Sequence, residues 1–587
     1  MFNNNPIIFL TRRSWRFAEG MRGRYIVFLL LSFAAHIVEL WGPYVMGKAF
    51  EVLQFPTETL LRDVTLWLSI YVGIGVVTWT LHGPSRVIER KVAFHVGRNF
   101  VVDSFQKLRR FPLRWHQDHH SGDTINRVRK AQGSLWEFSE CQYQNVGVVV
   151  GLVGPLIALA ILYWPIAIVA VVLNSLALLI IRGIDHWLVH WMDRENEREH
   201  RFSSAFFDFV SNMTTVISLR LGSRVEHELT HRVDDLWPMR QHHVRLNEIK
   251  WFILSFVLNI LVLLILVGFI WHQLRQNGVI SIGLTVAVWG YVQMFHNGFS
   301  NFADTYQRLL RQRTNVRAMQ FIETEAEKLH LGEQPIPPMP ADWQRAEIAE
   351  LCFPFGNNGG ELDQVALAIK RGQRIALVGQ SGSGKSTVMA LIRGLYEPTH
   401  VRLSVDGEMF DDLRPLHRIS TLIPQEPEIF ESTIEHNVCM GVEHSHDEVT
   451  EAIDIACFDG VVDKLNKGLQ TDIRENGVNL SGGEKQRLAL ARGLFAARNS
   501  EIVMLDESTS SVDAATERDI YQRLFLACRG KAVISAFHRL HLAQSFDVIY
   551  VLDKGRVVQT GSFEELLAQE GKFLELWNNY TEYEKTD

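Results

Sequence analysis

Three short stretches of this sequence carry side chains whose types and spacing suit the handling of phosphate. From Gly379 to Thr387 the chain reads GQSGSGKST, which fits the pattern G-x-x-x-x-G-K-[S/T]. Glycines Gly379, Gly382 and Gly384 let the backbone N–H groups around Gln380, Ser381, Ser383 and Thr387 turn inward on a phosphate. Lys385 can reach the β- and γ-phosphates, and the Ser386 hydroxyl can ligate Mg²⁺. A second stretch, IVMLDES from Ile502 to Ser508, sets two adjacent carboxylates after an apolar run. Asp506 is placed to hold Mg²⁺, directly or through water, and Glu507 to polarise an attacking water as general base. The third stretch, LSGGEKQRLALAR at 480–492, puts a glycine pair ahead of an apolar-periodic helix, another good anion site. One chain thus holds two phosphate cradles and one set of catalytic carboxylates.

These groups need elements to hold them. The apolar run Ile375 to Val378 reads as a buried strand feeding the first loop, and Ile502 to Leu505 as a second. Ahead of this soluble α/β half, the first 320 or so residues are dominated by long apolar runs. Six stretches are long enough to cross a bilayer: about 25–49, 64–84, 143–163, 165–185, 251–271 and 279–300. The break YWP at Tyr163 to Pro165 reads as a tight turn between the third and fourth. Segment 86–130 carries eleven Lys and Arg against Arg62 alone in 51–65, which places both termini and the long connections in the cytoplasm. Val92, Val96, Phe100, Phe105 and Leu108 recur at helical spacing, so the membrane helices are expected to continue well beyond the bilayer.

Polar residues fall inside the spans: His36 and Glu39 on one helix face, then Asn174, Asn259, Gln293, His296 and Asn297. They read either as the lining for a transported solute or as groups satisfied within the bundle. The stretch GEQPIPPMPADW at 332–343 is an extended tether. It divides a membrane domain, 1–325, from a soluble domain, 345–587, with the linker at 326–344. Net charge is -7 with no basic stripe, which argues against a nucleic-acid partner. The five cysteines form no CxxC pair, which argues for reduced thiols and against a zinc site or a disulfide framework. The arginine-rich first 24 residues lack a signal-peptide core and read as a surface-lying helix. The histidine clusters at 116–120, 242–243 and 444–446 supply no full metal-ligand set.

Residues 345–587 resemble the ATPase domain of ABC transporters, with every family motif in order. By that resemblance Phe355 stacks on adenine, and Gln425 in LIPQEPEIF is the glutamine that senses Mg²⁺ and the membrane domain. TDIRENGVNLSGGEKQR is similar to the exporter-type loop running into the family signature, Asp513 ends the D-loop, and His538 contacts the γ-phosphate. Glu484 stands where glutamine is commoner, and Phe355 where tyrosine is usual. LRRFPLRWHQDHHSGDTINRV at 108–128 is similar to the region that couples the two domains in type IV exporters. The implied fold is an all-α six-helix transmembrane domain with long cytoplasmic extensions, followed by an α/β P-loop ATPase domain of ABC type.

The resemblance also accounts for the second cradle: Ser481, Gly482 and Gly483 complete the ATP site of a second copy, so the working unit is a dimer. An intact Glu507 favours a homodimer with two active sites. The implied function is ATP- and Mg²⁺-dependent export of a small or amphipathic solute through a membrane, with the bacterial inner membrane as the expected location. Import of a chelate, lipid flipping and service as half of a heterodimer remain as alternatives.

Overall fold

The computed structural model describes residues 5–54, 58–119, 121–328, 339–355, 360–473, 480–537 and 539–584. The chain divides into two compact units, one of Met1–Arg110 with His120–Leu329, the other of Phe111–His119 with His330–Asp587.

The first unit is helical throughout its described residues. In chain order it holds α1 (Pro6–Phe17), α2 (Arg22–Glu39), α3 (Gly42–Gln54) and α4 (Leu60–Leu108). The short α5 (Leu113–Asp118) belongs to the second unit. The first then resumes with α6 (Ser121–Glu140), α7 (Gln142–Ser211), α8 (Met213–Ser218), α9 (Gly222–Asp234), α10 (Trp237–Asn277), α11 (Ile282–Arg317) and α12 (Gln320–Lys328). Four described stretches are long and apolar enough to cross a membrane: Arg22–Gln54, Leu60–Leu108, Gln142–Leu176 and Gly222–Gln276. The expected span 279–300 falls on α11, which Gln293, His296, Asn297 and Asp304 make more polar.

One expected span departs from a straight helix: the first, 25–49, is broken at Leu40 and Trp41 into α2 and α3. Gly42-Pro43 follows the break, and proline supplies no N–H and disfavours helical backbone before it. At the expected YWP turn, α7 is broken at Tyr163 (φ −164°, ψ 98°), two residues before Pro165, and the Tyr163 ring stacks on His272 at 4.0 Å. Small residues bring the long helices close. A Cβ at Gly298 of α11 would lie 2.6 Å from the Gly151 carbonyl oxygen of α7, so only glycine fits that crossing. Ser32 and Ser85 share a buried hydrogen bond of 2.8 Å between α2 and α4.

In the second unit the strands are β1 (Arg345–Phe355), β2 (Gly360–Lys370), β3 (Arg374–Val378), β4 (His400–Val405), β5 (Glu408–Phe410) and β6 (Ser420–Ile423). They continue with β7 (Ser432–Thr433), β8 (Asp472–Ile473), β9 (Ile502–Asp506), β10 (Ala532–Ala536), β11 (Val548–Asp553) and β12 (Arg556–Gly561). A six-stranded sheet runs β12-β11-β3-β10-β9-β6, and a four-stranded antiparallel sheet runs β2-β1-β4-β5. The strands β11, β3, β10, β9 and β6 pair in parallel. Such a sheet is covered on both faces, so its strands must be apolar at every position. Ile375 and Leu377 enter one core while Ala376 and Val378 enter the other. Met504 and Val503 divide in the same way. The carboxyl ends of β3, β9 and β10 therefore share one edge, where open α/β sheets bind ligands.

A nucleotide site at the sheet edge

β3 delivers the loop 379–387 straight from the buried sheet, and helix α13 (Lys385–Arg393) starts within it. Its N-cap is Gly384 at φ +106°, a conformation that a side chain would strain. With no capping side chain, the first-turn N–H groups stay free for an anion, and the helix dipole favours negative charge there. Lys385 is 4% exposed and folds back over the loop, donating to the carbonyl oxygens of Gly379 (2.9 Å) and Gln380 (3.3 Å). Burial pulls its ammonium below the usual lysine range, and the negative charges of Glu507 and Asp506 partly restore it. Ser383 Oγ is buried with no hydrogen-bond partner. An orphaned hydroxyl, free N–H groups and a buried cation in one loop fit a polyphosphate ligand.

The two carboxylates end β9 against this loop. Ser386 Oγ donates to Asp506 Oδ1 at 2.9 Å, joining the two oxygens expected at Mg²⁺. Gln425, just beyond β6, donates its amide to Glu507 Oε2 at 2.8 Å. Glu507 is 8% exposed and sits at φ +46°, held by its N–H bond to the Ala536 carbonyl at the end of β10 (3.0 Å). A non-glycine residue in left-handed backbone costs energy, and its presence here aims the carboxylate out of the strand line.

The second cradle is built differently. Ser481 caps the helix Gly482–Ala496 through a reciprocal box: its Oγ accepts from Glu484 N (3.3 Å), and Glu484 accepts from Ser481 N (2.8 Å). These bonds hold the Glu484 carboxyl below its usual range, so glutamate serves this position as a capping residue. Among the described residues, this cradle's contacts run to the D-loop rather than to residues 379–387. A Cβ on Gly483 would lie 2.9 Å from the Ser511 carbonyl oxygen. Buried Gln486 bonds Ser511 N at 2.7 Å and Ser510 Oγ at 2.8 Å. Asp513 caps the next helix, Ala514–Ala527, by accepting from Thr516 N at 3.0 Å, which lowers its carboxyl.

The reading of the sequence missed Gln486, whose sole signal was a glutamine at an apolar-periodic position. It also missed the pairing of Arg539 with buried Glu517 (3.0 Å), which in turn accepts from Thr509 Oγ1 at 2.6 Å. His538 and residues 474–479 of the loop before the signature lie outside the described residues, as does the side chain of Phe355 at the end of β1. The helix α5 packs in this unit: Trp115 is buried, and Gln117 donates to Tyr396 Oη at 3.0 Å.

Family comparison agrees with this arrangement. Residues 25–297 match the ABC transporter transmembrane region, and residues 362–510 match the ABC transporter family. The chain belongs to the ABC transporter superfamily. It has the half-transporter layout of type IV exporters, one helical membrane domain followed by one ATPase domain. It is therefore a membrane protein that binds nucleotide and couples ATP hydrolysis to transport. The β-(1→2)glucan export ATP-binding/permease protein NdvA of Bartonella bacilliformis is 25% identical over 94% of this chain and 92% of its own length. The transporter verA of Clonostachys rogersoniana is also 25% identical, over 96% of this chain and 46% of its own. In fold, the chain is similar to a bacterial Atm1-family ABC exporter solved with ATP bound, with TM-score 0.78 and 22% identity over 95% of this chain and 99% of that one.

Proposed function

We propose that this ABC transporter exports a small or amphipathic solute by alternating access, working as a homodimer with two ATP sites. The observation that carries the reading is the group of phosphate-handling and hydrolytic side chains on one sheet edge: Lys385, Ser386 on Asp506, and Gln425 on Glu507. In this reading the loop 379–387 holds the ATP phosphates, and Glu507 orients and deprotonates the attacking water. Ser386, Asp506 and Gln425 are the residues that would hold Mg²⁺, which when bound offsets the phosphate charge. Phe355 stacks on adenine and His538 meets the γ-phosphate.

Ser481, Gly482, Gly483 and Asp513 complete the site of a second copy. The box at Ser481 and the bonds from Gln486 to Ser510 and Ser511 support this, because they present the signature and the D-loop as one rigid surface. ATP drives transport by binding the closed dimer better than the open one. The α5 contact at Tyr396 supports a coupling role for that helix. Similarity to the export protein NdvA along nearly the whole chain supports the outward direction, and the Lys and Arg excess in 86–130 supports a cytoplasmic ATPase domain and cytoplasmic termini, in what we take to be a bacterial inner membrane.

Inside-out vesicles from cells expressing the chain test this reading, with Glu507→Gln vesicles as the blank and mass spectrometry as the readout. ATP-dependent accumulation of a species only with the intact carboxylate is the expected result. Continued ATP consumption without accumulation would sink the export reading.

A further inference from the structure

The helical unit contains two adjoining cavities that share one wall. The first, of about 530 Å³, is polar: Glu39, Asp304 and Arg308 line it with His36, Asn297 and Asn301. The second, of about 490 Å³, is lined largely by aromatic and apolar groups, among them Tyr71, Trp79, Trp289 and Met46, with the buried, unpartnered Thr78 Oγ1. Glu39 and Met294 line both. Volumes of this size suit a solute of a few hundred daltons.

Glu39 occupies a special place on the backbone as well. It is the last residue of α2, immediately before the break at Leu40 and Trp41 in the first span. A helix end inside a membrane bundle presents the negative pole of the helix dipole and carbonyl groups with no helical partner. The Glu39 side chain is 56% exposed, and its contact with His36 Nδ1 is long at 3.4 Å, so the carboxylate remains open to a ligand. His36 in turn is fixed from behind. Its Nε2 lies 3.2 Å from the Tyr143 carbonyl oxygen, its ring packs on the Tyr143 ring at 4.4 Å, and a Cβ on Gly147 would lie 2.8 Å from it.

We propose that the two cavities form one cargo tract for an amphipathic organic cation. The cationic group sits at Glu39, the apolar or aromatic body lies among Tyr71, Trp79 and Trp289, and the polar remainder reaches Asn297 and Asn301. A carboxylate, a helix C-terminus and electron-rich ring faces all attract positive charge, and each gains strength where water is scarce. The polar cavity sets two carboxylates against one guanidinium and one imidazole, which gives a polyanion no net advantage. This assignment rests on the transport reading above and names the cargo class for it.

The test uses the full chain in phosphatidylcholine nanodiscs without nucleotide, with empty nanodiscs subtracted. Equilibrium dialysis compares tetraphenylphosphonium with tetraphenylborate, ions of nearly equal size and opposite charge. Saturable binding of the cation, at least about tenfold tighter than of the anion, is expected. Glu39→Gln should erase that preference, Glu39→Asp should keep most of it, and Trp79→Leu should weaken the cation. Equal binding of both ions, no saturable binding of either, or full cation affinity in Glu39→Gln would overturn the assignment. If vesicles accumulate nothing while selective binding persists, the export reading falls and the site stands. Accumulation without selective binding removes the site alone.

Discussion

In the ATPase unit each group of the site arrives in a short run of chain at the end of a buried strand; in the helical unit the cavity is assembled from distant helices. Lys385 and Ser386 are neighbours in sequence, as are Asp506 and Glu507, and β3 and β9, parallel on either side of β10, bring the pairs together. His36 and Tyr143, which touch, are 107 positions apart. The difference has a physical origin. Phosphate chemistry needs a dense array of N–H groups and charges on a rigid frame, which one loop after one strand supplies. A cavity between helices needs only that each helix turn one polar residue inward, and widely spaced residues do this equally well. The first design concentrates its signal in the sequence, and the second disperses it.

The sharpest way to break the comparison is to remove one group from the concentrated site. Glu507→Gln should cut ATP hydrolysis by on the order of 10²–10⁴-fold while nucleotide binding persists, read by phosphate release beside a binding assay. Retention of even a tenth of the turnover would mean that the site does not depend on its general base.

In the bundle the large effects should be steric. Gly298→Val forces atoms into the Gly151 backbone and should cost about 1–3 kcal/mol, seen as a lower Tm of the detergent-solubilised chain. Gly133→Ala, exposed within α6 and with nothing within 4 Å of its Cβ, should raise Tm slightly, because alanine favours a helix by about 0.5–1 kcal/mol over glycine. If both variants melt alike, close helix approach is not what holds the bundle.

At the second cradle, Ser481→Ala should cost about 1 kcal/mol through loss of the cap, and Glu484→Gln about 0.5 kcal/mol or less because glutamine also closes the box. Thermal melts of the two variants check this order.

The smallest effect concerns α12. Burial pushes the Glu323 carboxyl up, but its paired bonds from Arg13 (2.6 Å each) and the charges of Lys107 and Arg16 outweigh that and hold it below the usual glutamate range. Its stabilisation is therefore present at neutral pH and disappears as pH falls through the lowered value. Arg13→Ala should lose less than about 1 kcal/mol at pH 7, and the difference from wild type should shrink as pH falls through the lowered Glu323 value, measured by melts from neutral to acid pH.

The loop 379–387, the strand ends at Asp506 and Glu507, and the capped helix after Ser481 were legible because each is a local pattern whose chemistry dictates its residues. Gln425 was legible only through family resemblance; its bond to Glu507 joins residues 82 positions apart. Gln486 was invisible because a glutamine in an apolar rhythm looks the same whether or not a D-loop lies above it. In the membrane half, long apolar runs announce helices but not the break at Leu40 and Trp41. Hydropathy does not change there, and the cause is the backbone demand of Gly42-Pro43. Gly147 and Gly151 have no distinguishing mark in the sequence, and what makes them matter is the His36 ring and the Gly298 backbone pressed against them.

By itself, then, the sequence determined the chemistry of the phosphate site, the apolar length of the helices and the division into two kinds of domain. Those properties follow from hydrogen-bonding groups, hydrophobic periodicity and backbone permissiveness over a few residues. Tertiary structure alone decided which distant groups meet: Ser386 with Asp506, Gln486 with Ser511, and Glu39 at a helix break between a polar and an aromatic cavity. Contacts across such separations depend on helix crossings and strand order, which are set by the packing of the whole chain and leave no periodic mark on any one part of it.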